Sequence, residues 1–490
     1  MQNLKFDFNN MFHFNIGNNH GITESDITNL LPTINKSHKH LRSLLDNRQN
    51  RINLGLEWAA LPYQDELFID EIQKLAREVG SKYENVLFLG IGGSFLGLRA
   101  AQDALARPYY NEFKPLRDGS PRVYFEGNNL DPEPVAALLK HLKPKKTFVV
   151  VISKSGETTE TKAVFCVVQE WLKNGCGRSY GRQILCITDP KSGSLRQRVE
   201  EEQKKDSKSF RSFSLLPGVG GRFSEFNMGL FHLALIGVNI KELFTGAREM
   251  AKKCSAGNVY KNPAYLYAVL HYLAYLKKGK SIAIMMPFTE SLKSTADWYC
   301  QLLAESLGKK YKRTIRVLSS GVEDWSPDKS RCVNVGRTPV ATRGTTDLHS
   351  IQQNNIEGEN NKAVTMIRVE CFAHDARVSR DAGILSGKNL SDLLRLAQEA
   401  TEWALVRDQR PNCTISMPNL SPANWGALLY FFEMATAFEG ELLNVNAFDQ
   451  PGVEGYKNYM YYKLRKPGIS PAVAEEIKKH PVKRARKFII

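Results

Sequence analysis

The chain has 490 residues and a formal net charge of +16, with 42% hydrophobic and 24% charged residues. This is the composition of an ordinary soluble globular protein, and no apolar stretch is long enough to span a bilayer. The length predicts two or more domains. The positive charge would suit a nucleic acid or an anionic substrate, but basic residues cluster only over 478–487, where a solvated C-terminal tail is expected.

The eight cysteines indicate the compartment. They form no Cys-x-x-Cys pair and no zinc-ligand pattern, which is typical of reduced thiols in a cytosolic protein. Residues 1–21 lack the apolar core of a signal peptide. We therefore expect a cytoplasmic protein that has no metal site and does not bind a membrane.

The polar residues 1–60 predict an N-terminal arm with helices, and a buried strand is predicted after them at 86–91. That strand is followed by Gly92, Gly93 and Ser94, and glycines at the carboxyl end of a strand let the backbone approach a ligand closely. Their spacing differs from the G-x-G-x-x-G pattern of dinucleotide-binding folds. A nucleotide cofactor is therefore not expected.

The stretch over residues 153–161 is rich in hydroxyl side chains and lies between a predicted strand and a predicted helix. The run 147–152 is apolar and β-branched, which is typical of a strand covered on both faces, and 162–171 has apolar residues at helical spacing. Free backbone N–H groups at the start of a helix bind anions, so a phosphate site is one interpretation. A hydroxyl helix cap is the other.

Strands and helices alternate in two series, which predicts two doubly wound parallel α/β domains. The first series has further strands at 122–125 and 184–188, and the second has strands at 281–286, 315–318 and 363–369. The segment 319–343 is rich in Ser, Gly, Pro and Asp and predicts a loop. The predicted divisions are an N-terminal arm (1–60), a first α/β domain (61–238), a second α/β domain (239–435) and a C-terminal helix with a basic tail (436–490).

Four further residue groups could carry chemistry. Arg222 follows two glycines, so a cation lies beside bare backbone, which suits an oxyanion or a phosphate. Gln301 and Glu305 are four residues apart on a predicted helix and share one face. His349 lies in a loop-to-helix turn, and Lys457 lies on a predicted C-terminal helix. Taken singly, such residues also occur in structural ion pairs and on solvated helix faces.

Taken together, six motifs resemble the glucose-6-phosphate isomerase (phosphoglucose isomerase) family in its bacterial branch, and they occur in the family's order. The motifs cover residues 91–94, 153–158, 220–224, 301–306, 344–349 and 448–457. Two residues depart from the family pattern. Glu225 stands where the family usually has an apolar or small residue, and Pro451 stands where it often has an aromatic one. Neither position carries chemistry in the family, so both departures concern local packing.

The resemblance implies two sugar-isomerase (SIS) type αβα domains and the reversible conversion of glucose 6-phosphate into fructose 6-phosphate through a cis-enediolate, without a cofactor. It implies that Glu305 is the base, that Arg222 steadies the enediolate, and that His349 and Lys457 serve ring opening. It also implies a homodimer in which His349 acts across the interface. The residues that it assigns to substrate binding are Gly93, Ser94, Ser153, Lys154, Ser155, Gly156, Glu157, Thr158, Gln301 and Gln450.

Other functions stay open from the sequence. A non-catalytic sugar-phosphate-binding protein of the same fold would need the phosphate site but neither Glu305 nor Arg222, and both are present. A bifunctional glucose/mannose-6-phosphate isomerase would differ only in the shape of its pocket. Nucleic-acid binding is suggested by charge alone. Because no recognition motif accompanies that charge, no nucleic-acid partner is expected.

Overall fold

The computed structural model describes residues 4–490 of the chain. Over that range the strands belong to three sheets. The strands are β1 (Lys5–Asp7), β2 (Asn85–Leu89), β3 (Arg122–Glu126), β4 (Thr147–Ile152), β5 (Ile184–Thr188), β6 (Arg211–Ser214), β7 (Ile282–Pro287), β8 (Lys309–Val317), β9 (Glu323–Val335), β10 (Thr338–Ala341), β11 (Lys362–Val369) and β12 (Asn412–Met417).

Helices connect most of these strands. They are α1 (His13–His20), α2 (Glu24–Asp46), α3 (Arg48–Leu54), α4 (Glu66–Lys82), α5 (Gly93–Leu105), α6 (Pro132–His141), α7 (Thr159–Cys176), α8 (Ser194–Lys205), α9 (Glu225–Met228), α10 (Leu230–Leu235), α11 (Ile240–Cys254), α12 (Pro263–Lys278), α13 (Lys293–Leu307), α14 (Gln352–Ile356), α15 (Leu390–Arg407), α16 (Pro422–Leu443), α17 (Glu454–Lys463) and α18 (Pro471–Lys479).

The first sheet is parallel throughout, with strand order β3–β2–β4–β5–β6. One face, which includes Leu87 and Val149, packs on helices α6, α7 and α8. On the other face, the ring of Phe88 contacts Phe231 of α10. Because both faces are covered, β2 and β4 are buried along their whole length, which is why they are continuous apolar runs in the sequence. The predicted parallel α/β architecture is confirmed.

The second sheet has strand order β1–β12–β11–β7–β10. Strands β12, β11, β7 and β10 are parallel, and they include the strands predicted at 281–286 and 363–369. β1 joins the edge of this sheet and runs antiparallel to β12. The N-terminal arm therefore contributes a strand, which its three-residue length hides from sequence periodicity.

The segment 309–341 differs from the prediction. The strand predicted at 315–318 is part of β8, which pairs antiparallel with β9 in a separate two-stranded sheet and does not join the second parallel sheet. The predicted loop over 319–343 is wrong, since it contains β9 and β10. All thirteen residues of β9 are exposed or half-buried. A ribbon without a buried face has no apolar alternation, so its polar sequence resembles a loop.

Residues up to Ala447, which contain both parallel sheets, form one compact unit, and Phe448–Ile490 form a second unit. The helices of the second unit are α17 and α18. The divisions predicted at residues 60, 238 and 435 stay predictions. Within residues 4–490, no helix combines the length and the apolarity that crossing a membrane requires.

Candidate active site

Arg222 is held in contact with the C-terminal end of α13. A short 3₁₀ turn, Gly221–Phe223, carries the arginine. Its Nη1 donates to Oε2 of Glu305 at 3.2 Å, and its Nε donates to the Ser306 hydroxyl at 2.8 Å. Nη2 donates to the backbone carbonyl of Ala447 at 2.7 Å. The Arg222 side chain is only 2% exposed, so its charge is fixed and acts on Glu305 at close range.

Glu305 keeps an open side, because its side chain is 27% exposed while Leu302 on the same helix is buried. Its Oε1 accepts an N–H from Nε2 of Gln301 at 3.1 Å. The two carboxylate oxygens are therefore oriented by Gln301 and Arg222, and a carboxylate oxygen has a further lone pair that can accept a proton. The shared helix face predicted for Gln301 and Glu305 is confirmed.

The loop between β2 and α5 packs against these residues through its glycine backbone. A Cβ on Gly93 would lie 1.7 Å from the carbonyl oxygen of Gly221, so only glycine fits there. Gly92 has a φ of +59°, and a Cβ on it would lie 3.0 Å from Nε2 of Gln301. This loop, with the start of α5 at Ser94, therefore lies beside both the arginine turn and α13.

The loop between β4 and α7 is held in a turn by its own hydroxyl groups. Oγ of Ser153 accepts the N–H of Gly156 at 3.0 Å, and Oγ of Ser155 accepts the N–H of Glu157 at 3.1 Å. Gly156 has a φ of +74°, and a Cβ on it would lie 2.5 Å from the backbone nitrogen of Leu195, so this turn requires glycine. Residues 153–157 thus form a preorganised loop at the carboxyl end of β4.

The same loop leaves the first turn of α7 without a hydroxyl cap. Thr158 precedes the helix, and its side chain makes no cap hydrogen bond. Of the two interpretations of this stretch, the helix cap is therefore not supported. Lys154 is exposed on the loop, and its ammonium group and the helix dipole would both favour an anion.

The two loops lie at the same edge of the first sheet. β2 and β4 are neighbouring parallel strands, whereas β3 lies on the other side of β2, so the strand order reverses between β2 and β4. Such a reversal opens a crevice outside the carboxyl ends of the strands, where α/β sheets bind their ligands. The hydroxyl of Thr161 also donates to the Gly127 carbonyl at 3.3 Å, which joins α7 to the loop after β3.

Three predicted site residues are not among the contacts described above. His349 belongs to the first unit, and Gln450 and Lys457 belong to the second unit. His349 ends a 3₁₀ turn, Thr346–His349, and is exposed. Lys457 lies on α17, where its Nζ donates to Glu454 at 2.9 Å. Gln450 precedes a 3₁₀ turn of the second unit. Their participation in a site stays a prediction.

Sequence reasoning missed some of the groups around Arg222. Ser306 lies within one of the six motifs, which assigns no role to its hydroxyl, and the Ala447 carbonyl is a backbone group that no side-chain pattern identifies. The family pattern identifies Glu225 only as a departure in packing, yet its Oε1 accepts the indole N–H of Trp298 at 2.7 Å. Its signal in the sequence was a charged residue at a position expected to be apolar.

Comparison with known sequences identifies relatives along nearly the whole chain. The sequence profile of the phosphoglucose isomerase family matches residues 67–324 and 348–468. The glucose-6-phosphate isomerase of Carboxydothermus hydrogenoformans is 40% identical over 494 residues, which cover 99% of each chain. The glucose-6-phosphate isomerase of Symbiobacterium thermophilum is 34% identical over 427 residues, which cover 85% of this chain and 88% of the relative.

Two solved structures share the fold. A hypothetical protein from Thermus thermophilus superposes with a TM-score of 0.78 at 30% identity, covering 94% of this chain and 99% of its own. A glucose-6-phosphate isomerase from Chlamydia trachomatis superposes with a TM-score of 0.70 at 20% identity, covering 94% of this chain and 90% of its own. The shared fold therefore extends over 94% of this chain in both superpositions.

Proposed function

The chain belongs to the phosphoglucose isomerase family, and from this premise we propose that it is a glucose-6-phosphate isomerase. It interconverts glucose 6-phosphate and fructose 6-phosphate, an exchange of oxidation state between two neighbouring carbons of one sugar. The observation that carries the proposal is the contact between Glu305 and Arg222 at 3.2 Å, beside a glycine loop at the ligand-binding edge of a parallel sheet.

Glu305 is the proposed base. Isomerisation removes a weakly acidic proton from the carbon next to the carbonyl, and the same carboxyl group returns it to the neighbouring carbon. Gln301 and Arg222 each donate to one of its oxygens, so the carboxylate is oriented before the substrate arrives. General base catalysis of this kind contributes about 10²–10⁴-fold to the rate.

Arg222 is the proposed stabiliser of the enediolate, because negative charge develops on the sugar oxygens as the proton leaves. Its guanidinium is already held by Ser306 and Ala447, so it needs no rearrangement during the reaction. In comparable sites, the loss of one preorganised donor costs on the order of 3 kcal/mol of transition-state stabilisation. Proton transfer assisted by a fixed cation requires neither a metal nor a nucleotide.

The loop over 153–158 is the proposed phosphate site, where its hydroxyl O–H groups, the exposed Lys154 and the start of α7 would bind the anion. Binding energy from this remote group would orient the reacting carbons. Gly93 and Ser94 would line the sugar pocket, and Gln301 and Gln450 would contact the substrate. His349 and Lys457 are the proposed groups for opening the sugar ring, since histidine exchanges protons near neutral pH.

We propose that the protein is a cytoplasmic homodimer in which His349 completes the site of the partner subunit. The exposure of His349 is compatible with such a role. The test uses hybrid dimers of Glu305→Gln and His349→Asn chains, co-expressed with different affinity tags and purified through both tags. If His349 acts across the interface, one of the two sites in the hybrid combines the intact Glu305 of one chain with the intact His349 of the other. About half of the wild-type activity is then expected. If His349 serves its own chain, the hybrid is as inactive as the parental variants.

A coupled assay tests the function itself. The purified chain is given fructose 6-phosphate without added metal, and glucose 6-phosphate is measured as the product. Binding without conversion would overturn the proposal in favour of a sugar-phosphate-binding protein. Mannose 6-phosphate as a second substrate decides whether the isomerase is bifunctional.

A further inference from the structure

Two glutamates are buried together next to the Arg222 turn. Glu225 begins α9, and Glu433 lies in the middle of α16. Glu225 is 3% exposed and Glu433 is 0% exposed. Among residues 4–490, no lysine or arginine pairs with either carboxyl group. Buried carboxyl groups without a cation are costly unless they are protonated and hydrogen-bonded.

Three of the four carboxyl oxygens in the pair lack a hydrogen-bond donor. Oε1 of Glu225 accepts the indole N–H of Trp298 at 2.7 Å. Oε2 of Glu225 and both oxygens of Glu433 are buried and receive no N–H or O–H from another described residue, while the two side chains lie within hydrogen-bonding reach of each other. The missing donor is therefore a proton on the pair itself, carried as an O–H by one glutamate and accepted by the other.

The surroundings keep this proton in place. Burial raises the pKa of both carboxyl groups, and Glu225 raises the pKa of Glu433 further. The indole N–H of Trp298 and the hydrogen bond with Glu433 lower the pKa of Glu225, but burial outweighs them. On α16, Tyr430 is the titratable neighbour that faces Glu433. The pair thus holds a proton at pH values where exposed glutamates are ionised.

Trp298 connects the glutamate pair to α13, the helix that carries the proposed base Glu305. Trp298 and Glu305 are seven residues apart on α13, so they project from one face, about 10 Å apart along the helix axis. The short segment from Arg222 to Glu225 therefore contacts α13 at two positions along the helix axis, through Arg222 at Glu305 and through Glu225 at Trp298. Gly97 of α5 makes room for the carboxylate, because a Cβ there would lie 2.5 Å from Oε1 of Glu225.

We propose that Glu225 and Glu433 are positioning residues, and that the proton they share holds Trp298 and so keeps Glu305 aligned with Arg222. The inference rests on the proposed function. When the proton is lost at alkaline pH, two like charges face each other in a dry site, the carboxyl groups separate, and Trp298 loses its fixed acceptor. A displacement of the base by 1 Å can lower turnover by about 10²-fold.

Two substitutions at position 433 separate positioning from simple packing. Glu433→Leu removes one of the two carboxyl groups that share the proton, and we expect kcat to fall by about ten-fold or more while KM for fructose 6-phosphate stays within about two-fold. Glu433→Gln supplies an amide N–H in place of the acid O–H, so it should recover most of the kcat that the leucine variant loses. Glu249→Gln, at an exposed position on α11, is the matched control for loss of a carboxylate.

The pH dependence of kcat and of the thermal midpoint distinguishes a shared proton from a packing role, because apolar packing does not titrate. The pKa values of Glu225 and Glu433 are higher in the folded chain than in the unfolded chain. Their contribution to the stability of the folded chain is therefore fully present below the usual glutamate pKa of about 4.3, and it is lost as pH rises through the raised pKa values. We therefore expect kcat and the thermal midpoint of the wild type to decline towards alkaline pH, and a Glu225→Gln, Glu433→Gln double variant, which has no titrating group there, to decline less.

Identical pH profiles for the wild type and the double variant would overturn the inference, as would a Glu433→Leu variant with the wild-type kcat. If the leucine variant does not fold, the profiles of the glutamine variants still decide. A wild type that does not isomerise fructose 6-phosphate would refute the proposed function, whereas the thermal midpoints would still test the shared proton.

Discussion

Replacing Glu305 by glutamine is expected to lower kcat for fructose 6-phosphate by about 10²–10⁴-fold, because an amide cannot take up the proton that the reaction moves. Glutamine has the same shape, and its carbonyl oxygen can still accept the N–H of Arg222 that Oε2 accepts now. The proposed phosphate loop over 153–158 is unchanged by the substitution. Titration calorimetry should therefore give a dissociation constant for fructose 6-phosphate within about three-fold of the wild-type value.

Glu249→Gln is the control, since it removes the same charge from an exposed helix position in the same unit and should leave kcat at the wild-type value. A Glu305→Gln variant that turns over at nearly the wild-type rate would refute the assignment of the base. A variant that neither binds nor converts the sugar would show that Glu305 is needed to maintain the structure of the site. That result would not support a role limited to proton transfer.

Replacing Arg337 by methionine is expected to lower the free energy of unfolding by about 3–5 kcal/mol, because it leaves a buried carboxylate without its cation. The guanidinium of Arg337 forms a bidentate ion pair with Glu439 of α16. Its Nε donates to Oε1 at 3.1 Å, and its Nη2 donates to Oε2 at 2.6 Å. The two side chains are 0% and 2% exposed. Nη1 lies 3.3 Å from Nδ1 of His271. Burial, and then Arg337, hold the pKa of His271 well below its usual range, so a neutral imidazole accepts the N–H.

Urea unfolding of two further variants checks the cause. An Arg337→Met, Glu439→Leu double variant removes both charges and should be more stable than the single variant, since an apolar replacement of a whole buried pair is often close to neutral. Arg407→Met breaks an exposed pair with Asp408 of 2.6 Å and should change the free energy of unfolding by about 1 kcal/mol or less. A double variant less stable than Arg337→Met would contradict the explanation.

The elements with two buried faces could be predicted from the sequence. The run 147–152 coincides with β4, and the run 86–91 contains most of β2, because a strand covered on both sides must be apolar at every position. The predicted helix that carries Gln301 and Glu305 is observed at Lys293–Leu307. The ribbon of β8 and β9 could not be predicted, since its pairing buries too little surface to leave a periodic pattern.

Helix α16 shows where local patterns stop being informative. It is apolar along most of its length and still contains Glu433, Glu439 and Glu441, all of them buried. The sequence shows that three acidic groups lie in an apolar helix, but their partners come from distant segments. Glu439 is bound by Arg337 and Glu441 by Arg313 at 2.6 Å, while the proposed partner of Glu433 is a second carboxyl group, that of Glu225.

The amino-acid sequence by itself determined the alternation of strands and helices, the glycine turns and the pairing of Gln301 with Glu305, because each depends on residues within a few positions of one another. Only the tertiary structure decided that Arg222 contacts Glu305 across 83 positions and that Glu225 meets Glu433. Such contacts depend on how whole layers pack, and packing distances are not encoded in any local period of the chain.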